Sequence, residues 1–394
     1  MQFVEGVRPV LPVCDADSAH LLYIHIPFCE QLCPYCSFNR VLFDEALCRE
    51  YCAALRKELW LYKERGYDFG GMYVGGGTPT VLVDELEAIL GVAREYFSIR
   101  EISVETNPNH LTDEKLTILK RAGVNRLSVG VQSFDDDLLK AMGRYDKYGS
   151  GDAIAERLVH CAGYFDTLNA DMIFNFPIQT DETLARDLSV LRATGVDQVT
   201  YYPLMVSDLT RRIVERSLGV VDYRKEERFY YRIVDALIPE YRFSSAWCFS
   251  RQESMIDEYI VDYDEYAGLG SGSIGYLDGT CYANTFDIRE YIDRLNKDEI
   301  PLMAAQPFSF ADQVRYDFIM KLFGLTLQIA PLNKKYGRNV LRYLLKEIAA
   351  FWLAGGLGYR HGEFYLTSRG RYYWVIIMRE FFTAVNNFRA FCIK

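Results

Sequence analysis

Three cysteines, Cys29, Cys33 and Cys36, lie in the run Tyr23-Ile-His-Ile-Pro-Phe-Cys-Glu-Gln-Leu-Cys-Pro-Tyr-Cys36. The spacing CxxxCxxC brings three thiolates onto one short loop. Clusters that only carry electrons are closed by four cysteines. Three thiolates on a four-iron cluster leave one iron open to a small molecule, and an open iron is a place for chemistry. Cys33-Pro-Tyr-Cys36 alone also fits a redox pair or half of a zinc site. Structural zinc wants four ligands, usually as two separated pairs. No second CxxC or HxxxH follows here.

An amino acid chelates such an iron through its amine and carboxylate, and S-adenosylmethionine adds a sulfonium to that pair. One electron from a reduced cluster breaks its sulfur–carbon bond and gives a 5′-deoxyadenosyl radical able to take hydrogen from unactivated carbon. Other residues suit that ligand. Gly75-Gly76-Gly77 lets backbone approach a bound amino acid closely; the plainer reading is a tight strand-to-helix turn. Glu105 and Asp171 are candidate acceptors for ribose hydroxyls, or else ordinary caps and ion-pair partners. Tyr35 is suited to pack an adenine ring, although tyrosine is more often core. Arg144 offers a bidentate fork to a carboxylate, against an ordinary role as solvated charge.

These residues need a scaffold that gathers them. Strand-like runs occur at 21–26, 72–74, 101–105, 126–131, 168–174 and 198–202. Amphipathic stretches at 44–66, 82–97, 112–122, 150–163 and 181–194 alternate with them, and Thr112 and Thr180 stand as caps. Six consecutive βα units predict a parallel sheet with right-handed crossovers. Each unusual motif falls at or just after the end of a strand, where parallel barrels and open α/β sheets place their ligands. All six motifs are therefore expected on one rim. The division expected is a lead at 1–20, a barrel at 21–210, an extension at 211–300 and a helical, winged-helix-like region at 301–394. Ile348-Ala-Ala-Phe-Trp-Leu-Ala-Gly-Gly reads as a buried helix ending at glycines.

The chain has 394 residues, half of them hydrophobic, and a net charge of −10. That balance argues against a nucleic-acid partner, which needs a basic stripe. No secretion signal or membrane-spanning run is visible, so the expected compartment is the cytoplasm, where thiols stay reduced. The other cysteines, Cys14, Cys48, Cys52, Cys161, Cys248, Cys281 and Cys392, read as inert thiols, with Cys48 and Cys52 sharing one helical face.

The runs YIHIPFCEQLCPYCSF, GGGTPT, ISVETNP, GVQSF and DMIFNFP resemble the radical S-adenosylmethionine superfamily. Within it they resemble the oxygen-independent coproporphyrinogen III oxidase group, which includes the haem chaperones called HemW, anaerobic haem-degrading enzymes and class C methyltransferases. The resemblance implies a partial (β/α)6 barrel with a C-terminal α+β extension and a small winged-helix-like domain. It implies a [4Fe-4S] cluster on Cys29, Cys33 and Cys36, and often two S-adenosylmethionines. Tyr23, Gly76, Glu105 and Ile274, placed in the glycine-rich turn, would contact the first. Tyr35, Gly77, Thr78, Gln132, Arg144, Asp171 and Tyr202 would contact the second. Implied partners are a flat conjugated substrate, such as a tetrapyrrole, and reduced flavodoxin or ferredoxin as electron donor. Tyr201, Tyr202, Trp247, Tyr259 and Tyr263 are candidates for an aromatic wall, and Arg242 and Arg251 for holding substrate carboxylates. The sequence departs from two members of the group. Phe38 stands where the oxidase has a fourth cysteine, and Ser244-Ser-Ala-Trp-Cys-Phe-Ser-Arg-Gln-Glu-Ser254 stands where the chaperone has HNxxYW. These departures keep three activities in view: tetrapyrrole oxidation, methyl transfer and haem carriage.

Overall fold

The computed structural model describes residues 10–12, 20–256 and 258–392. Cys14 and nearly all of the lead at 1–20 lie outside them. Six parallel strands form the centre: β1 (His20–Ile26), β2 (Gly71–Gly76), β3 (Glu101–Thr106), β4 (Arg126–Gln132), β5 (Thr167–Phe174) and β6 (Gln198–Pro203). Each pairs in parallel with the next. Helices α1 (Glu45–Glu64), α2 (Val83–Tyr96), α3 (Asp113–Arg121), α4 (Gly151–Cys161) and α5 (Asp181–Ala193) make the crossovers. Their starts follow local chemistry. Asp44 caps α1 through Leu47 N, Thr112 caps α3 through Lys115 N, and Thr180 and Thr183 form a reciprocal box at α5. Cys48 and Cys52 are both buried on α1.

The sheet does not stop at six strands. Later segments add β7 (Arg242–Phe243), β8 (Cys248–Ser250), β9 (Glu265–Leu269), β10 (Ile274–Leu277), β11 (Thr280–Asn284) and β12 (Leu302–Pro307). The order is β12-β11-β10-β9-β1-β2-β3-β4-β5-β6-β8-β7. β9 joins β1 in parallel and β8 joins β6 antiparallel, so both outer edges of the six-strand core are covered. Ile274, expected in a turn, opens strand β10 and pairs with Ala283.

Past α6 (Glu226–Leu237) and α7 (Ile288–Leu295), the chain forms an appendage. It runs α8 (Phe310–Phe323), β13 (Thr326–Gln328), α9 (Ile329–Tyr336), α10 (Leu341–Leu353), β14 (Leu357–Arg360), β15 (Glu363–Leu366) and α11 (Ser368–Cys392). The three strands pair in the order β13-β15-β14. Helix, strand, two helices and a two-stranded wing is the winged-helix arrangement. The expectation of a buried helix at Ile348 does not hold. On α10 only Leu344 is buried, while Trp352 is 50% and Leu353 86% exposed. An all-apolar run states what a helix can bury, not what packs against it.

Candidate cofactor site at the carboxyl ends of the strands

The cysteine loop leaves the end of β1. A short parallel bridge, Phe28–Cys29 against Val41–Leu42, closes its neck. Arg40 ties its interior, donating from Nη2 to the carbonyls of Cys33 (2.6 Å) and Cys36 (2.7 Å). Thr78 Oγ1 lies 3.9 Å from Cys29 Sγ, and Arg144 Nη1 lies 3.6 Å from Cys33 Sγ. Cys29 and Cys33 are buried and Cys36 half-buried. Burial pushes the Cys29 thiol up to about 12 and raises that of Cys36, so these groups yield their protons to a metal rather than to water. Arg389, arriving from α11, donates to the carbonyls of Ser37 and Phe38.

The glycine run closes around the same loop. Gly76 has φ +113°, and a Cβ there would meet the His25 ring at 2.7 Å; a Cβ on Gly77 would meet the Phe28 backbone at 2.7 Å. Both glycines are therefore required by the protein's own packing. Gly77 N donates to Ile26 O and Thr78 N to Phe28 O, each at 2.8 Å. Glu105 accepts from Tyr73 Oη (2.9 Å) and from Gly76 N (3.2 Å). Tyr23 sits between Tyr73 and Tyr259, with ring centroids at 6.1 and 5.8 Å. His25 Nε2 lies 2.7 Å from the Asn39 carbonyl, which can only accept, so Nε2 carries the proton. Nδ1 then accepts from Tyr23 Oη at 2.9 Å. Burial holds His25 down to about 4 and raises the Tyr23 phenol, so the pair is neutral.

Across the rim, Arg144 is 3% exposed, not a solvated charge. It bonds Gly130 O and, at 3.0 Å, Asn107 Oδ1, and lies over the Tyr148 ring at 4.0 Å. Gln132 ends β4 at φ +75°, beside an irregularity in its pairing with β5. Its neighbours Ser133 and Phe134 are pinned by Asp187 on α5, whose carboxyl burial pushes up to about 7. Asp171 accepts from Ser128 Oγ (2.7 Å) and Asn169 Nδ2 (2.8 Å). Tyr35 is buried edge-on to Phe176, and Tyr202 packs on Trp247. The two carboxylates expected to meet ribose thus already accept bonds from the chain.

Arg242 and Arg251 are not at this rim. β8 runs antiparallel to β6, and Arg251 N bonds Asp197 O at the amino end of that strand. Both arginines are exposed, and Arg251 pairs with Glu240. Trp247 is core, with Nε1 bonded to Glu258 at 2.5 Å. Sequence reasoning missed His25, Asn39, Arg40, Asn107 and Arg389. A signal existed for Asn39 and Arg40, which follow the last cysteine within four residues; none existed for Arg389, more than three hundred residues away.

Among the described residues, no three His, Cys, Asp or Glu side chains converge as ligands of one metal ion must. Thiols spread along one loop suit a cluster, which takes each at a different iron. Nε of Arg40, Arg144 and Arg389 is buried without a partner, so the rim holds more cationic donor capacity than the chain consumes. An anionic cluster with its thiolates would use it. The residues fit.

The radical SAM superfamily signature matches residues 23–191. Over 369 residues the chain is 30% identical to heme chaperone HemW of Bacillus subtilis (strain 168), covering 89% of this chain and 95% of that protein. The chain belongs to the radical SAM superfamily. It is also 32% identical to an oxygen-independent coproporphyrinogen III oxidase of Cereibacter sphaeroides (strain ATCC 17025 / ATH 2.4.3), over 51% of this chain and 44% of that one. The fold matches coproporphyrinogen III oxidase (HemN) from Escherichia coli with a TM-score of 0.77 at 21% identity, covering 94% and 90% of the two chains. Membership in this superfamily implies a [4Fe-4S] cluster and S-adenosylmethionine. Among the described residues, no helix is long and apolar enough to cross a membrane.

Proposed function

We propose that this protein is a radical SAM enzyme acting on a tetrapyrrole or another conjugated ring. The observation that carries the reading is the three-cysteine loop ringed by Arg40, Arg144 and Arg389, each with a buried, unpartnered Nε. When bound, the cluster supplies an electron that cleaves S-adenosylmethionine to a 5′-deoxyadenosyl radical. The chain's own residues hold and enclose. Cys29, Cys33 and Cys36 are the cluster ligands. Tyr23, Gly76, Glu105 and Ile274 take the first S-adenosylmethionine. Tyr35, Gly77, Thr78, Gln132, Arg144, Asp171 and Tyr202 line a place for a second. The neutral Tyr23–His25 pair keeps charge and water away from the reacting face. Reduced flavodoxin or ferredoxin would supply the electron.

A second reading, haem carriage, is supported by the near full-length relative bearing the name heme chaperone HemW. The absence of HNxxYW and of a histidine between Trp247 and His361 weighs against it. Methyl transfer is a third reading, since it consumes a second S-adenosylmethionine. Anaerobic reconstitution with labelled S-adenosylmethionine separates them. Deoxyadenosine formed faster with coproporphyrinogen or another ring substrate supports the proposal. S-adenosylhomocysteine with label in product would replace it by methyl transfer. Stoichiometric haem binding without cofactor turnover would replace it by carriage.

A further inference from the structure

The charge of this chain is segregated. Residues 301–394 carry thirteen Lys and Arg against five Asp and Glu, while the whole chain is at −10. The basic excess thus sits on the appendage, and the acidic excess on the barrel. Within the appendage, α10 occupies the place of the second helix of a winged helix's helix-turn-helix. At 100° per residue, its exposed positions Trp352, Leu345, Ala349, Arg342, Leu353, Lys346 and Ala350 fall on one arc of less than half the circumference. That arc holds cations and large apolar groups and no acid. The helix's one acid, Glu347, lies off it, paired with Arg315 at 2.9 Å. Leu345 is 62% exposed, Trp352 50% and Leu353 86%. Beyond the helix end, Arg369 Nη1 lies 3.9 Å from where a Cβ on Gly355 would stand, adding a cation beside the apolar tip.

A soluble surface does not ordinarily leave Trp and Leu together at such exposure. A nucleic-acid groove is read by polar side chains and gains little from Leu353. Cations interspersed with Trp and Leu on one helical face are what an anionic lipid surface selects, with the phosphates taking the charges and the interface taking the indole. We propose that α10 docks this protein on anionic membranes, Arg342, Lys346 and Arg369 meeting lipid headgroups and Trp352 and Leu353 entering the headgroup–acyl boundary.

Flotation of the anaerobically reconstituted full chain with vesicles of equal parts phosphatidylglycerol and phosphatidylcholine tests this. We expect the protein to float with them, to be released by salt, and to stay behind with pure phosphatidylcholine. Arg342→Ala and Lys346→Ala should each weaken partitioning about five-fold at low salt. The Trp352→Ser/Leu353→Ser pair should weaken it about ten-fold or more with unchanged far-UV circular dichroism. Trp352 fluorescence should shift blue and be quenched by brominated lipid, a signal lost in Trp352→Phe while that variant still floats. No flotation at low salt, or flotation that none of these substitutions alters, would overturn the proposal. So would tight binding to duplex DNA that needs Arg342 and Lys346 but not Leu353, in the absence of vesicle binding.

Discussion

At the barrel's rim, Gly76 and Gly77 leave no room for a single methyl group and Arg144 is 3% exposed, whereas on α10 one residue in thirteen is buried. The cysteine loop and α10 both carry many apolar side chains, yet one is largely enclosed and the other presents them. What differs is the neighbour. The rim lies where β1 to β6 all end, so most of its side chains meet another element, although Leu32 and Phe38 of the cysteine loop stay exposed. α10 packs one narrow face, largely on α8, and leaves the rest to solvent. Polarity of a segment therefore says less about burial than its place in the strand order does.

Substitutions should part along this line. Cys33→Ser should have the largest effect, abolishing the cluster; loss of its visible absorption and of bound iron after reconstitution would check this, and full iron content would break the assignment. Next, Gly76→Ala forces a methyl against His25 at a positive φ and should cost about 1–3 kcal/mol in urea unfolding. Arg144→Lys removes the fork to Gly130 and Asn107 and the stacking on Tyr148, and should cost about 1–2 kcal/mol while lowering cluster retention. At the other end, Leu353→Ser on α10 should leave stability within about 0.5 kcal/mol. A large loss there would mean that α10 is covered in the free protein.

Glu58 sharpens the contrast by pH. It is fully buried on α1 and accepts from Tyr291 Oη (2.5 Å), Gly270 N (2.8 Å) and Asn284 Nδ2 (2.8 Å). Burial pushes its carboxyl up to about 7 against those three donors. Folded protein then holds a proton between pH 4.5 and 7 that the unfolded chain has released. Its contribution to stability is present below about 4.5 and is lost as pH rises through 7, on the order of 3 kcal/mol across the window. Glu58→Gln should flatten that part of the stability–pH curve; an unchanged slope would place the titration elsewhere.

Much of this was legible in the residues. The six parallel strands and the motifs at their ends follow from period, caps and glycine turns, and the superfamily follows from the cysteine loop with GGGTPT. Where the sequence reading failed, contacts between distant segments decided the outcome. Ile274 is a strand residue because β9 and β11 flank it, and Arg251 is remote from the rim because β8 runs antiparallel to β6. Arg389 reaches the cysteine loop only because α11 returns across the molecule. No local pattern encodes a return path. Gly76 was legible as flexible backbone, but its tight fit against His25 was not.

The strand Glu265–Leu269 lies alongside β1, the strand that launches the cysteine loop. A polypeptide ending near residue 210 would keep the three cysteines and the Gly75–Gly77 run and still expose β1, buried in the full chain except at Tyr23, as a bare strand edge beside them. Such a fragment should aggregate rather than load iron, so the catalytic half cannot be excised as a minimal unit for study or for engineering.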